Sequence, residues 1–435
     1  MRTKYVPAFL FVGLLVFAGN QMFAQSNNRA FAITGESKGN VSWMVIREID
    51  LTTGAEIRKI YSPTDKPALL DALTGAKLQR FDVNAEISNE VTTINRNGIA
   101  NTIVTYANGK RAEVVTAPTE TLVAASALDT RNNRLFFTPM HSNELRYFDL
   151  NRGTNTVYYV RNVALKTFPE TNGEADVITR MCFSYDGYGY ALTNDFNHLI
   201  RFSSGEKITI TDLGSVQDGK NNKAISIRNM CTSWGGDMVA DALGGLYVIS
   251  MRGNVFKINT ETLVADYIGQ IKNIPQDYTI NGAAVDAEGN IVVGCAIKSD
   301  HYYSVNLSKL EATALPKQQE QVFNVSDFAS CHYVNENAVK PKAVTTVKGN
   351  SVVSLYPNPV TNRTLNIIFD AFAGSNHNVQ LVDVAGNIIL NKLVSINGKT
   401  TTQIILPGSV TSGTYIIKVN DGAGKEQYSG KIVVY

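Results

Sequence analysis

The stretch that decides the fold is VADALGGLYVIS, residues 239–250. It holds an apolar run, then Asp241 with Gly244 three positions later, and then a second apolar run. An aspartate can accept hydrogen bonds from its own downstream backbone amides, and glycine tolerates the left-handed backbone of a tight reversal. The pattern therefore predicts a β-hairpin whose turn is built by Asp241 and Gly244.

The same hairpin pattern occurs three more times along the chain. The copies are ALDTRNNRLFFT (127–138), CFSYDGYGYALT (182–193) and AVDAEGNIVVGC (284–295). Their aspartates and the residues three positions later are Asp129 and Asn132, Asp186 and Gly189, and Asp286 and Gly289. Each hairpin is followed by a third strand-like run and often by a fourth. Four short antiparallel strands, repeated at intervals of roughly 45 to 60 residues, predict the blades of a β-propeller.

A fifth unit lies at the start of this repeat region. Residues 30–35, 43–54 and 55–61 are typical of the second to fourth strands of a blade, and residues 327–334 could supply its first strand. Such closure would remove the open sheet edges of the ring. Residues 62–120 fit the template poorly but are long enough for one more blade. We therefore expect six blades, with five and seven as alternatives.

Composition agrees with an all-β fold, since Gly, Asn, Thr, Val and Ile are abundant and only 18% of the 435 residues are charged. The formal charge of +2 gives no electrostatic reason to expect nucleic acid or an anionic membrane as a partner. We find no His-Glu-x-x-His motif, phosphate loop or dinucleotide fingerprint. The sequence implies no cofactor.

The N-terminus is typical of an export signal. Arg2 and Lys4 precede a short apolar core, AFLFVGLLVFA (8–18). That core is too short to span a membrane comfortably, so we expect a signal peptide, residues 1–24, cleaved after Ala24. We expect no transmembrane segment in the mature chain.

Four cysteines remain after this cleavage, namely Cys182, Cys231, Cys295 and Cys331. Their wide spacing differs from that of a disulfide-stapled scaffold, although export permits disulfides. It also lacks the close ligand pairs of a zinc site. The sequence favours free cysteines that pack as small apolar residues.

A second all-β unit follows a polar linker, residues 341–351. It opens with LYPNPV (355–360), continues with alternating strands and Gly- and Asn-rich turns, and ends with GKIVVY (430–435). This pattern predicts a small immunoglobulin-like β-sandwich over residues 352–435, behind a propeller domain of residues 25–340.

Several motifs of this second unit occur in a characteristic order. They comprise Tyr356, Pro357, Asn358 and Pro359, then Asp383 and Gly386 in LVDVAGNII, Gly413 and Tyr415 in SGTYIIKV, and Lys431 in GKIVVY. The unit closely resembles the type A C-terminal sorting domain of the type IX secretion system of Bacteroidota. The resemblance implies passage to the outer surface through the type IX machinery. It also implies removal of the tail, with release of the cargo or its attachment to surface lipopolysaccharide.

The propeller region is similar to the broad group of NHL-like, lactonase-like and quinoprotein-like propellers. The hairpin pattern that carries this resemblance is shared so widely that it implies architecture and no particular activity.

Candidate binding residues lie in the loops that join the second and third strands of the blades. Loops held by a rigid scaffold are where binding residues concentrate. The candidates are His141, Asn143, Asp195, His198, Arg252, Asn254, Asp300 and His301.

Two interpretations of this set compete. The three histidines could converge with Asp195 and Asp300 on a metal or acid–base site. Polar side chains that simply suit hairpin loops are the simpler interpretation, and no fixed motif enforces convergence. The hairpin aspartates stand alone, so they are predicted to form turns and not a calcium site.

These observations favour a secreted or surface-displayed, non-enzymatic propeller that binds a protein or glycan. An extracellular metal-dependent hydrolase or lyase with its site at the propeller mouth remains an alternative. A structural component of the cell envelope, acting in gliding or adhesion, is another. The sequence does not name the ligand.

Overall fold

The computed structural model describes residues 28–82, 84–167, 173–316, 321–335, 352–360, 363–383, 386–422, 424 and 426–434. The expected signal peptide and linker lie outside these residues. Within them, helix is confined to α1 (Met230–Ser233), and no helix there is long and apolar enough to cross a membrane.

The strands of the N-terminal half are, in chain order, β1 (Arg29–Thr34), β2 (Val45–Asp50), β3 (Glu56–Tyr61), β4 (Ala68–Asp71), β5 (Gln79–Arg80), β6 (Ile87–Ile94), β7 (Ala100–Tyr106), β8 (Arg111–Val115), β9 (Val123–Asp129), β10 (Arg134–Pro139), β11 (Arg146–Asp149) and β12 (Thr156–Tyr159). They are followed by β13 (Ile178–Phe183), β14 (Gly189–Thr193), β15 (Leu199–Phe202), β16 (Ile210–Gly214), β17 (Gln217–Asp218), β18 (Asp237–Ala240), β19 (Leu246–Ile249), β20 (Asn254–Asn259), β21 (Val264–Gln270), β22 (Gly282–Val285), β23 (Ile291–Gly294), β24 (Tyr303–Asn306), β25 (Glu311–Ala314) and β26 (Val325–Ser330).

Five of the sheets form a ring. Their strand orders are β26-β1-β2-β3 (blade 1), β9-β10-β11-β12-β4 (blade 2), β13-β14-β15-β16 (blade 3), β18-β19-β20-β21-β17 (blade 4) and β22-β23-β24-β25 (blade 5). The first strand of each blade packs against the first strands of the two adjacent blades, from β26 through β9, β13, β18 and β22 back to β26. The predicted propeller is confirmed, and it has five blades, one of the alternatives, instead of six.

Residues 62–120 do not form the sixth blade. Strand β4 pairs in parallel with β12 and widens blade 2. Strands β5 to β8 form a separate sheet in the order β5-β8-β7-β6. Seven of the eight residues of β6 are exposed, whereas the first strand of each blade is mostly buried, so β6 cannot serve as the inner strand of a sixth blade. We call it the inserted sheet.

Blade 1 joins the two ends of the propeller chain, as predicted. Strand β26 pairs antiparallel with β1, and Ala30 lies opposite Ser330. The closing strand begins at Val325, two residues before the predicted start. It is buried along most of its length, which accounts for the apolar residues of this segment.

Left-handed backbone occurs in all four hairpin turns, although in two of them it is shifted from the predicted residue. Gly244 (φ 90°) and Gly289 (φ 87°) are as expected. In the other two turns Asn133 (φ 53°) and Gly187 (φ 90°) take this role. Gly189 is needed for a different reason, because a Cβ there would lie 2.1 Å from the Phe202 ring.

The C-terminal unit contains β27 (Val352–Tyr356), β28 (Thr364–Asp383), β29 (Ile388–Ile405), β30 (Gly413–Asn420) and β31 (Glu426–Val434). The first part of β28 pairs with β27 and its last part with β30, while β29 follows β28 along most of its length. Alternate residues of β30 are buried, which forms an apolar core on one side of the strand. The predicted second β domain is confirmed.

All four cysteines are free, with Cys182 and Cys295 buried, as the sequence favoured.

Candidate functional site

The eight candidate binding residues belong to what we call the loop face, the loops between the second and third strands of blades 2 to 5 and the residues adjoining them. His198 and Asp195 belong to one such loop in blade 3. His198 Nδ1 lies 2.7 Å from Asp212 Oδ2 on β16. Asp195 accepts hydrogen bonds from the Thr193 hydroxyl (2.7 Å) and from the Asn197 backbone N–H (3.0 Å). Asp195 therefore holds its own loop, and His198 ties that loop to β16.

The two candidate asparagines also connect structural elements. Asn143 Nδ2 donates to the backbone oxygen of Gly98 (2.9 Å) and so fixes the inserted sheet to blade 2. Asn254 is buried, donates to the Thr232 oxygen (2.9 Å) and accepts from the Tyr267 hydroxyl (3.0 Å). Neither side chain is oriented for binding a ligand.

The remaining candidates are more accessible. His141, Arg252 and Asp300 are exposed, and His141 has a left-handed backbone (φ 57°). His301 is half-buried, and its carbonyl oxygen accepts a hydrogen bond from Tyr278 (2.9 Å). Among the described residues, no three His, Cys, Asp or Glu side chains are grouped so as to hold a metal ion.

Two aspartates that the sequence did not single out lie at the centre of the ring. Asp237 on β18 and Asp327 on β26 both have 0% exposed surface. Asp237 accepts hydrogen bonds from the backbone N–H groups of Ala283 on β22 (2.6 Å) and Phe328 on β26 (3.3 Å). Because β18 and β26 are not adjacent in the ring, the Asp237 side chain crosses the central channel.

Asp327 extends this connection to blade 2. It accepts a hydrogen bond from the Ser126 hydroxyl on β9. Its Oδ1 atom has no hydrogen-bond partner among the described residues. The two carboxyls, which we call the channel pair, thus connect the inner strands of blades 4, 5, 1 and 2.

The two carboxyls of the channel pair differ in how readily they ionise. Burial raises the pKa of Asp237 to about 7, although three backbone N–H bonds oppose the shift. Burial and then the charge of Asp237 raise the pKa of Asp327 well above its usual range. Backbone donors stabilise a charged carboxylate, so we assign the negative charge to Asp237 and the proton to Asp327.

The neighbouring strand β13 contributes two further buried groups near the pair. Arg180 donates to the backbone oxygens of Ser233 (3.0 Å) and Gly235 (2.6 Å). Burial lowers the pKa of Arg180 to about 9, and the charge of Asp237 opposes that shift. Burial also raises the pKa of the Cys182 thiol, so this cysteine remains neutral. The channel pair has no exposed surface, and its described hydrogen bonds join strands of the ring.

The hairpin aspartates form turns, as predicted. Each carboxylate accepts a hydrogen bond from the backbone N–H two residues later. The pairs are Asp129 with Arg131 (2.9 Å), Asp186 with Tyr188 (2.9 Å), Asp241 with Leu243 (2.9 Å) and Asp286 with Glu288 (3.1 Å). These carboxylates are occupied by local donors.

In the C-terminal unit, the predicted motif residues join the two ends of the domain. Asn358 donates to the backbone oxygen of Lys431 (2.9 Å) and accepts from the backbone N–H of Val433 (2.8 Å) on β31. Pro357 and Pro359 flank it and are partly buried, and Tyr356 is 44% exposed. The side chain of Asn358 therefore pairs the opening segment with the last strand.

The other motif residues shape turns and strand ends. Asp383 accepts from the backbone N–H of Asn387 (2.8 Å), and Gly386 has a left-handed backbone (φ 91°). Gly413 opens β30, and the hydroxyl of buried Tyr415 donates to the backbone oxygen of Thr411 (3.0 Å). Lys431 is exposed on β31.

Comparison with family models identifies this unit. Residues 354–435 match the family described as "Secretion system C-terminal sorting domain". The predicted type IX sorting domain is thereby confirmed, and the chain is directed to the cell surface or the extracellular space. Comparison with curated proteins finds no match.

Solved structures with a similar fold include three at low identity. One is PorZ, described as an essential surface component of the type-IX secretion system of Porphyromonas gingivalis, with 12% identity, 92% of this chain and 51% of that chain covered, and a TM-score of 0.27. This chain therefore spans about half the length of that protein.

The second is a putative 6-phosphogluconolactonase from Bacteroides uniformis, with 12% identity, 69% and 98% coverage and a TM-score of 0.32. The third is virginiamycin B lyase from Staphylococcus aureus, with 10% identity, 80% and 98% coverage and a TM-score of 0.28. Likenesses at this level extend no activity to the present chain.

Proposed function

We propose that this protein is a non-enzymatic, surface-exposed or secreted binding module whose propeller presents a protein- or glycan-binding loop face. In this proposal residues 1–24 are a cleaved signal peptide, residues 25–340 the functional domain, residues 341–351 a linker and residues 352–435 the sorting domain. The type IX machinery of a Bacteroidota cell is the transport partner. Surface attachment to lipopolysaccharide after tail removal is part of the same proposal.

The observation that carries the binding role is the contrast between the channel and the loop face. Asp237 and Asp327, on inner strands of the ring, have no exposed surface. His141, Arg252 and Asp300 are exposed and carry no described hydrogen bond from their side-chain polar atoms, so they are available to a partner. Exposed polar residues on a rigid scaffold support recognition of a surface better than conversion of an enclosed substrate.

A binding comparison tests this proposal. The purified full chain is applied to a glycan array and to immobilised outer-membrane proteins, beside the triple variant His141→Ala, Arg252→Ala, Asp300→Ala. We expect the wild type to retain a partner that the variant loses. A matched triple variant of exposed residues outside the loop face, Arg96→Ala, Lys110→Ala, Glu206→Ala, serves as the control.

Equal retention by the loop-face variant and the wild type would refute the binding role of the loop face. Turnover of a glycan or peptide substrate by the wild type would refute the non-enzymatic assignment.

A further inference from the structure

A cleft of about 450 Å³ lies beside β4, the outermost strand of blade 2, and its lining includes none of the loop-face candidates. We call it the basic cleft. Its lining consists of Asp65, Lys66, Pro67, Ala68, Leu69, Lys77, Leu78, Arg80 and Pro118. Three of these side chains are cations and one is an anion, which gives the lining a net positive charge of 3 − 1 = 2.

The cations of the basic cleft have no counter-ion in the described part of the chain. Lys66, Lys77 and Arg80 are exposed, and none of them has a described carboxylate within 4 Å. The one acid, Asp65, uses its Oδ2 atom to accept a hydrogen bond from the Ser62 backbone N–H (2.7 Å). The three positive charges are therefore free to interact with an anion.

The backbone around the cleft is held in place. Leu78 donates a backbone hydrogen bond to the Leu69 oxygen (2.8 Å), and Leu70 forms a β-bridge with Lys77. Asp71 closes the intervening turn by accepting from the Thr74 backbone N–H (2.7 Å). Lys77 thus starts from a fixed backbone, which lowers the entropy lost when a ligand binds.

The floor of the cleft is apolar. Leu69 is buried, Leu78 is half-buried, and Pro67 and Pro118 complete the lining. The described lining has no aromatic ring of the kind on which neutral sugars stack. A ligand would therefore gain most from charge and from contact of its own apolar face with Leu69 and Leu78.

We propose that the basic cleft binds an anionic saccharide, with phosphate, sulfate or carboxylate groups held by Lys66, Lys77 and Arg80. The volume lies within the range of small-molecule sites and suits a mono- or disaccharide better than an extended acidic peptide. The planar guanidinium of Arg80 suits two oxygens of one anion, and the lysines act as point charges. The inference deepens the proposed binding function by adding a second site and a ligand class.

Isothermal titration calorimetry of the full chain tests the inference. The probes are a sulfated heparin disaccharide, a galacturonic acid disaccharide, neutral cellobiose and a hexaglutamate peptide. The variant is Lys66→Ala, Lys77→Ala, Arg80→Ala. The control, Lys110→Ala, Lys220→Ala, Lys309→Ala, removes the same charge from exposed positions elsewhere.

We expect the wild type and the control to bind at least one acidic disaccharide and not cellobiose. Each exposed ion pair is worth up to about 1 kcal/mol, or roughly fivefold in affinity, so the cleft variant should bind about 100-fold more weakly. Phosphatidylcholine vesicles with and without lipid A distinguish a lipid headgroup from a free saccharide as the source of the anion.

Three results would overturn the inference: no binding of either acidic disaccharide, equal weakening by the cleft variant and the control, or tighter binding of hexaglutamate. The loop-face variant should bind the acidic disaccharide like the wild type. A loss confined to the cleft variant therefore separates this inference from the proposal for the loop face.

Discussion

The hairpin turns and the central channel use the same residue type for opposite purposes. Asp286, in a turn, accepts hydrogen bonds from backbone N–H groups two and four residues later. Asp237, in the channel, accepts from Ala283 and Phe328, which are 46 and 91 residues away in sequence. The turn aspartate fixes one hairpin, whereas the channel aspartate ties three blades together.

The contribution of a buried carboxylate to stability therefore depends on which hydrogen-bond donors would lose their acceptor if it were removed. The Asp286 carboxylate is also mostly buried, but of the residues whose N–H groups it accepts from, Glu288 is exposed and Asn290 is half-buried, so water can take over as acceptor more easily. No water is expected to replace Asp237 without rearrangement, because its partners are backbone N–H groups inside the ring, and a buried N–H without a partner is costly.

Replacing Asp237 by alanine should give the largest loss of stability. The change leaves the buried N–H groups of Ala283 and Phe328 without an acceptor and leaves Asp327 without its neighbour. We expect the free energy of unfolding to fall by roughly 3–5 kcal/mol, as when one partner of a buried polar pair is removed. Urea unfolding followed by tryptophan fluorescence measures the loss.

Asp237→Asn is the matched control, since it keeps the shape and one acceptor oxygen. It should lose clearly less stability than Asp237→Ala. A loss below about 1 kcal/mol for the alanine variant would contradict the assigned role of the channel pair.

The channel pair should also make stability depend on pH. Both carboxyls have a raised pKa in the folded state, so the folded protein holds more protons than the unfolded one above pH 4. The contribution of the pair to the free energy of unfolding is complete below the pKa of the carboxyls in the unfolded chain. It is lost as the pH rises through about 7. The slope is at most about 1.4 kcal/mol per pH unit for each proton.

Thermal unfolding between pH 5 and 8 measures this slope. The carboxylates whose pKa is lowered titrate below this range. Asp327→Asn mimics the protonated side chain and should flatten the curve. The groups that face the pair are Ser126, Arg180 and Cys182, and they are the same in both proteins. A wild-type curve no steeper between pH 5 and 8 than that of Asp327→Asn would show that the pair carries no extra proton.

A turn aspartate should matter less. Asp286→Ala removes the acceptor of the backbone N–H groups of Glu288, which is exposed, and Asn290, which is half-buried. We expect a loss of about 1 kcal/mol, comparable to removal of a helix cap. The same urea titration measures it, and a loss equal to that of Asp237→Ala would remove the distinction between the two regions.

The smallest effect is expected at the loop face. His141 is exposed and no hydrogen bond of its side chain is described, so His141→Ala should change the free energy of unfolding by less than about 0.5 kcal/mol. A stability change above 1 kcal/mol would mean that His141 holds the loop and is not available for binding.

The parts of the fold that the sequence predicted are those with local causes. The four Asp-based hairpins and the alternating strands of the tail could be located because their partners lie within a few residues. The closing strand β26 was also recognised, since blade 1 lacked a first strand.

Other features depend on distant contacts and left no local pattern. The sequence did not distinguish the inserted sheet from a sixth blade, because burial of both faces is decided by the ring and not by strand propensity. Asp237 and Asp327 lie at or near the start of apolar runs. This position is the sequence feature that could have indicated that the two carboxyls are buried. Their role appears once β18, β22 and β26 surround one axis, as does the grouping of Lys66, Lys77 and Arg80 in the basic cleft.

The pairing of β26 with β1 also determines the order in which the blades can be completed as the chain is synthesised. Strand β1 is among the first propeller segments to be made, yet its partner follows almost 300 residues later. Blade 1 is therefore the last blade to be completed, although it contains the earliest strands. Until then β1 has a free edge that could pair with another chain. The sorting domain follows β26 in the chain. The segment that directs export is therefore made only after every strand needed to close the ring has been made.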